Sequence, residues 1–344
     1  MRIGRVAARV ALVGVVAAGV AAVGPGVSGA CACGALVAND KLAAQQETAL
    51  IELSGRRESI TLAVQASGQA DQAAFLMPVP SRAEFELADG AVFAELDRLT
   101  RPNVEVREVE VDGDGTGGGA PGAGNDGATV VDRVEVGPYD VAQLAGTSPT
   151  AVAEWLADNG FTLPADLGDA LDPYLREEWL IVAVRLAPTS GSFADGVPPM
   201  RLSFDTDVPV YPMRLAASAD FVQPVRLYVL ADHRVDITNP TPQGDPADLT
   251  FAGPVSADPA YPVLGEALSG PRFLTRFDGE FQPEKIMEDI RIDKAPTNDP
   301  YRATVVVTRY VRADSVTLPL IAGAAAAVLV VAAGVVVLRR RSRR

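Results

Sequence analysis

Cys31 and Cys33 are the only cysteines in the chain, separated by one alanine and followed by a glycine. Two thiols at this spacing can close a small strained disulfide, bond to an outside partner, or cycle between the dithiol and disulfide states. The second candidate pair is Asp205 and Asp207. At i and i+2 on leaving a strand they point to one side, where two carboxylates could hold a metal or divide acid and base roles. His233 is the only histidine, which excludes His-rich zinc or iron sites. Its neighbours Asp232 and Arg234 read as a solvated strand end, and any Ser-His-Asp or Cys-His machinery would have to use this one imidazole. No Walker loop or dinucleotide fingerprint is present, and Thr189-Ser190-Gly191-Ser192-Phe193 lacks the glycine pattern of a nucleophile elbow. Asp112-Gly113-Asp114 opens like an EF-hand loop, but Ala123 stands where the closing carboxylate is required. The single Gly122-Ala123-Gly124-Asn125-Asp126 segment lacks the stacked repeats that such calcium sites need. The sequence therefore implies no cofactor and names no catalytic residue.

The elements around these residues are mostly strands. Ile60, Leu62 and Val64 alternate with Thr61, Ala63 and Gln65, the period of a half-buried strand. Phe75 to Pro80 is an apolar run that its prolines confine to a sheet edge or a strand end. Asp89 caps a predicted helix with Val92, Leu96 and Leu99 on one face, and valines 104, 106, 109 and 111 return to extended chain. Half of residues 112–127 are glycine, which predicts a flexible insert. Thr129 to Val136 reads as a strand. Ser148-Pro149 opens a helix with Val152, Trp155 and Leu156 on its apolar face, and Asn159-Gly160 ends it. A short helix near Asp169 to Glu178 leads into a strand from Trp179 to Leu186. Further strands are expected at Met200 to Phe204, Val225 to Leu230 and Thr304 to Arg312. Pro283 opens a predicted helix with Ile286 and Ile290 on one side, and Pro240 to Pro262 reads as a surface excursion. Strands outnumber helices without alternating with them, so the expected class is α+β, a strand-rich antiparallel ectodomain with a few short helices and one C-terminal transmembrane helix.

The ends set the expected location. Arg2, Arg5 and Arg9 precede the apolar run Val10 to Val23, then Gly24-Pro25-Gly26, with Ser28 and Ala30 as small residues before Cys31. This is the pattern of a signal peptide over residues 1–30 cleaved before Cys31. Fourteen helical residues would reach only about 21 Å, short of a bilayer core. Lipidation of Cys31 is disfavoured because Ser28 stands where a lipobox has leucine. From Leu318 to Leu338 the chain is uncharged, and a helix of that length reaches about 31 Å. Pro319 suits its first turn. Five arginines at 339–344 then hold the tail in the cytoplasm. Leu318-Pro319 resembles a cell-wall sorting signal but lacks the Thr-Gly pair that is cleaved. The expected organisation is a leader at 1–30, an extracytoplasmic domain at 31–315 with the Gly-rich insert at 112–127, a membrane helix at 316–338 and a basic cytoplasmic tail at 339–344. One domain is favoured over two, because residues 31–111 alone offer few strands to close a core. Residues 31–315 hold all 44 acidic side chains and 22 of the 30 basic ones, a surplus of 22 negative charges that repels nucleic acid. The abundance of arginine over lysine, with Ala, Val, Gly and Pro, matches the coding bias of a GC-rich bacterium.

Four segments carry a resemblance. Cys31-Ala32-Cys33-Gly34, Ala74 to Pro80, Pro199 to Phe204 and Val225 to Arg234 resemble a bacterial domain-of-unknown-function family numbered 2330, and the likeness covers most of residues 31–315. The resemblance implies an exported, often membrane-tethered protein with an early cysteine motif, and transfers no activity. The expected function is a single-pass cell-membrane surface protein, bacterial, that binds an unknown envelope partner or organises the envelope. The competing reading is an extracytoplasmic enzyme: a metal-assisted hydrolase through Asp205 and Asp207, or a thiol-redox protein through Cys31 and Cys33.

Overall fold

The structure, a computed structural model, describes residues 27–68, 70–110, 132–136, 139–187, 193, 198–241, 247–268 and 270–311. The insert at 112–127, the membrane span at 316–338, the basic tail and residues 1–26 of the expected leader lie outside the described residues. Among those described, no helix is long and apolar enough to cross a membrane.

Two large sheets dominate. The first runs in the order β1 (Val27–Cys31), β2 (Gly34–Ala38), β5 (Ala73–Val79), β10 (Leu180–Leu186), β9 (Tyr139–Leu144) and β8 (Asp132–Val136). The second runs β18 (Tyr301–Arg302), β15 (Asp248–Val255), β16 (Arg272–Phe281), β13 (Gln223–Ala231), β3 (Leu42–Ser54), β4 (Arg57–Gly68), β11 (Met200–Asp205) and β6 (Glu84–Leu87). The pairings are antiparallel except for β3 with β13, so the second sheet is mixed rather than purely antiparallel as expected. A small third sheet joins β12 (Val210–Tyr211), β17 (Ile290–Lys294) and β14 (Val235–Ile237). Strands from both sides of the Gly-rich insert share each large sheet, within one body made of the described residues up to 105 and from 132 to 306. A second unit spans 106–115 and 307–344, and its described part consists of the ends of the paired strands β7 (Asn103–Glu110) and β19 (Thr304–Val311).

Alternation along the strands explains the layering. Phe75, Met77, Val182 and Val184 of the first sheet share one buried cluster with Ile51, Ile60, Leu62, Leu202 and Leu227 of the second. The facing sides of the two sheets therefore make a common core. On the other side of the first sheet, Ala74, Leu76, Ile181 and Ala183 meet helices α2 (Thr150–Asp158) and α3 (Ala165–Arg176) through Trp155, Leu156, Leu171 and Leu175. On the other side of the second, Leu50, Tyr228 and Leu230 meet α1 (Ala91–Leu99) and α4 (Pro262–Ala267) through Val92, Leu96 and Leu264. Strands buried on both faces lose the polar alternation of a half-exposed sheet, which is why Ala73–Val79 reads as a continuous apolar run.

The predicted helices form, but Gly90 and Pro149 take the cap positions with no side-chain capping bond; Asp89 Oδ1 accepts the Ala91 N–H at 2.8 Å from one residue further out, and Gly160 takes φ +84° beyond α2. The helix after it starts earlier than expected, at Ala165. Pro78 sits at a strand end: β10 pairs with it, but β2 pairs only as far as Leu76. Two expectations fail. The helix predicted from Pro283 is a single tight turn, Pro283–Lys285, and Ile290 begins strand β17. Ile286 and Ile290 are both buried, but Ile290 and Ile292 alternate inward from a strand. The Pro240 to Pro262 stretch contains β15, held between β16 and β18, because Phe251 and Val255 have an apolar face to cover.

Candidate site: a buried thiol and carboxylate cluster

Strands β1 and β2 form a hairpin in which Cys31 pairs with Gly34, so Ala32 and Cys33 are its two turn residues. The turn lies against β5, and a Cβ added to Gly34 would sit 2.3 Å from the Leu76 carbonyl oxygen. Only glycine fits there. Cys31 is 2% exposed and Cys33 is fully buried, and neither forms a disulfide. The sequence places these cysteines at the start of a loose mature terminus; the structure builds them into the core between the two large sheets. The expected cleavage before Cys31 falls inside β1, whose residues Val27 to Ala30 pair with Ala35 to Ala38.

The thiols face a carboxylate. Glu47 shares a strand face with Ala49 and Ile51, both pointing into the inter-sheet core, and is itself buried. A bulge in β3 between Ala44 and Glu47 resets the pairing so that Glu47 lies opposite Val64 of β4. Glu47 Oε1 accepts the Cys33 backbone N–H at 2.9 Å and a hydrogen bond from the Tyr211 hydroxyl. Among the described residues Oε2 has no hydrogen-bond partner. Burial pushes Glu47 up to about 7, and the donors around it act against the rise. Burial likewise raises both thiols well above the ordinary cysteine range, and the Glu47 charge adds to this. In the closed hairpin both cysteines are therefore neutral thiols.

A second buried carboxylate lies nearby along the chain of contacts. Glu58 continues the face of Ile60, Leu62 and Val64 on β4, and its Oε2 accepts the Val210 N–H at 3.1 Å. Its Oε1 is unbonded, and burial pushes it up to about 8. Adjacent residues of β12 thus hold both acids, Val210 through its amide and Tyr211 through its hydroxyl.

The segment after β12 is fixed from the opposite side. Asp289 accepts the Met213 N–H at 2.7 Å, the Arg214 N–H at 3.1 Å, the Tyr174 hydroxyl, and Arg214 Nε at 2.9 Å. Arg214 also forks onto both oxygens of Glu177 and lies 4.0 Å over the Tyr174 ring. Those hydrogen bonds hold Glu177 below the usual carboxylate range. Beside this network is an open cavity of about 450 Å³, lined by Pro80, Trp179, Val208, Arg214, Met287 and Arg291 among others. Met287 is 68% exposed there.

Of the other expected site residues, Asp207 lines this cavity. Asp207 is ion-paired with Arg56, and Asp205 lies 3.7 Å from Arg57, each on an exposed strand-turn surface. Among the described residues no group of three or more His, Cys, Asp or Glu is placed to hold a metal. His233 sits in the turn after β13, its Nδ1 3.0 Å from the Arg234 carbonyl oxygen. Glu47, Glu58 and Tyr211 escaped the sequence reading. The signal was in the strand period, since Glu47-x-Ala49-x-Ile51 and Glu58-x-Ile60-x-Leu62 both place an acid on an apolar face.

A family described as "Uncharacterized protein conserved in bacteria (DUF2330)" matches residues 27–293. No curated protein matches the chain. Among solved structures, the crystal structure of baculovirus P35 aligns with 76% of this chain and 96% of that one, at 8% identity and a TM-score of 0.32, too slight to indicate a shared fold.

Proposed function

The chain belongs to the bacterial family of uncharacterised proteins DUF2330, and from that premise we propose an exported envelope protein, held by one C-terminal membrane helix, that acts by binding a partner. Its leader, taken to end before β1 so that the Val27–Cys31 strand is kept, and its span are argued from the apolar ends and their flanking arginines. The observation that supports a binding role is the open cavity beside Arg214. Trp179, Met287, Val208 and Pro80 give it an apolar lining, and Arg214 is fixed in advance by Glu177 and Asp289. Aromatic, methionine and arginine side chains around a rigid pocket are the composition of a protein–protein contact. The partner that fits presents an apolar side chain to this pocket, within a segment that tolerates the acidic surface around it.

Two experiments test the reading. Full-length protein in mild detergent, immobilised and exposed to envelope extract, should retain a defined protein, and Met287→Asp or Trp179→Ala should release it. Failure to retain any protein, glycan or lipid overturns the binding role. A reporter active only in the cytoplasm, fused just before residue 316, should stay silent; activity there overturns the topology.

A further inference from the structure

We propose that Cys31 and Cys33 are a reversible dithiol–disulfide couple, with Glu47 as the group that receives and returns a proton during exchange. Three structural observations carry this. The thiols stand at i and i+2, Cys31 as the last residue of β1 and Cys33 as the second turn residue, so one bond between them closes a small ring around Ala32. They share their buried site with a carboxylate whose Oε1 is held by the Cys33 amide and Tyr211, while Oε2 accepts no hydrogen bond. Among the described residues the hairpin lies at the edge of its sheet, with β1 paired to β2 alone, so local opening exposes the thiols while the rest of the sheet stays paired.

Two buried cysteines packed as small apolar side chains would need none of this. A buried acid costs stability unless its oxygens are satisfied, and an acid with one idle oxygen beside two thiols serves proton exchange better than packing. The titratable groups facing Glu47 are Cys31 and Cys33 from the hairpin and Tyr211 from β12, while β4 and β13 pair Val64 and Val225 with it.

The exchange balances with a disulfide as oxidant, either a small-molecule disulfide or the active-site disulfide of an oxidoreductase. One cysteine thiol passes its proton to Glu47, and the thiolate attacks the oxidant disulfide. That S–S bond breaks, a mixed disulfide forms, and the first leaving thiolate takes up a proton. The second cysteine then attacks the mixed disulfide, forming the Cys31–Cys33 bond and releasing the second thiol. Two electrons leave the cysteine pair and reduce the oxidant to two thiols, with both cysteine protons ending on those thiols. A bridge between i and i+2 is strained and easily reduced, so the couple runs in both directions.

The test uses full-length protein in detergent, equilibrated with glutathione redox buffers, then alkylated and read by mass spectrometry of the peptide holding both cysteines. The expected result is that both thiols disappear together, that the peptide carries no alkyl group and is about 2 Da lighter than the unalkylated dithiol (two hydrogens lost per disulfide formed), and that reductant restores both alkylation sites. Glu47→Gln should slow oxidation at pH 7 by at least about tenfold, with Glu47→Asp recovering part of the rate. Should Glu47→Gln fail to fold, the wild-type oxidation rate decides instead, and it should bend near pH 7, where Glu47 titrates. Thiols that resist glutathione disulfide until denaturant is added, a mixed glutathione adduct as the end product, or a rate without that bend overturns the proposal.

Discussion

The Tyr211 hydroxyl donates its hydrogen bond to Glu47 Oε1, joining a two-residue strand of the small sheet to the bulged strand β3 of the large one. This bond favours the ionised carboxylate. Tyr211→Phe should therefore raise Glu47 further and lower stability by roughly 1–3 kcal/mol where Glu47 is charged, with a smaller loss below pH 5. Urea denaturation at pH 5 and pH 8.5 measures both, and equal losses at the two pH values would refute the charged state of the acceptor.

Glu58 sets a pH dependence. Its folded-state value is raised by burial, so the folded protein binds the proton more tightly than the unfolded chain does. The stability this provides is fully present below about pH 4.5 and is lost as pH rises through about 8. Glu58→Gln should remove roughly 3–5 kcal/mol of that slope, flattening stability between pH 5 and 9. Denaturation midpoints across this range, wild type against variant, decide the matter.

Gly34→Ala places a methyl group 2.3 Å from the Leu76 carbonyl oxygen, which is backbone and cannot turn aside. A loss of at least about 1–3 kcal/mol is expected. Accelerated alkylation of Cys31 and Cys33 should accompany it, because the variant pushes the hairpin off β5. A variant with wild-type melting and thiol protection would show that the hairpin sits elsewhere.

Arg214→Ala leaves Asp289, whose side chain is 10% exposed, without its guanidinium partner and strips Glu177 of a bidentate one. The expected cost is roughly 2–4 kcal/mol, the lower part of the range for breaking a buried pair because Glu177 is half exposed. Arg214→Lys should recover only part of it, since an ammonium cannot fork onto Glu177 or stack on Tyr174. Thermal unfolding of both variants provides the comparison.

Asp205→Asn and Asp207→Asn should each change stability by under about 1 kcal/mol, as exposed ion pairs do. Neither should alter the metal content of the purified protein by elemental analysis. Stoichiometric metal lost on Asp205→Asn would restore the hydrolase reading.

How far the sequence reached differs by element. The strands at Ile60, Met200 and Val225 and the helices after Asp89 and Ser148 were legible because local periodicity defines them. The cysteine motif was legible as chemistry but not as a buried one. Its burial depends on β5 and β3 closing over the hairpin, and no local pattern encodes that. Glu47 hid in the polar run Gln45-Gln46-Glu47-Thr48, whose inward residue is chosen by a bulge. Ile286 and Ile290 matched a helical spacing by coincidence, and β17 prevailed because β12 and β14 flank it. The proline-rich stretch concealed β15, where Pro254 falls next to the strand's last residue.

Since α2 and α3 roof one sheet while α1 and α4 roof the other, the broad flat surfaces by which many strand-rich proteins stack on their ligands are already occupied from within. Under the binding role proposed above, a partner must therefore be met at the margins of the layers, at strand borders and interconnecting turns. Side chains exchanged there leave the common core of the two sheets untouched.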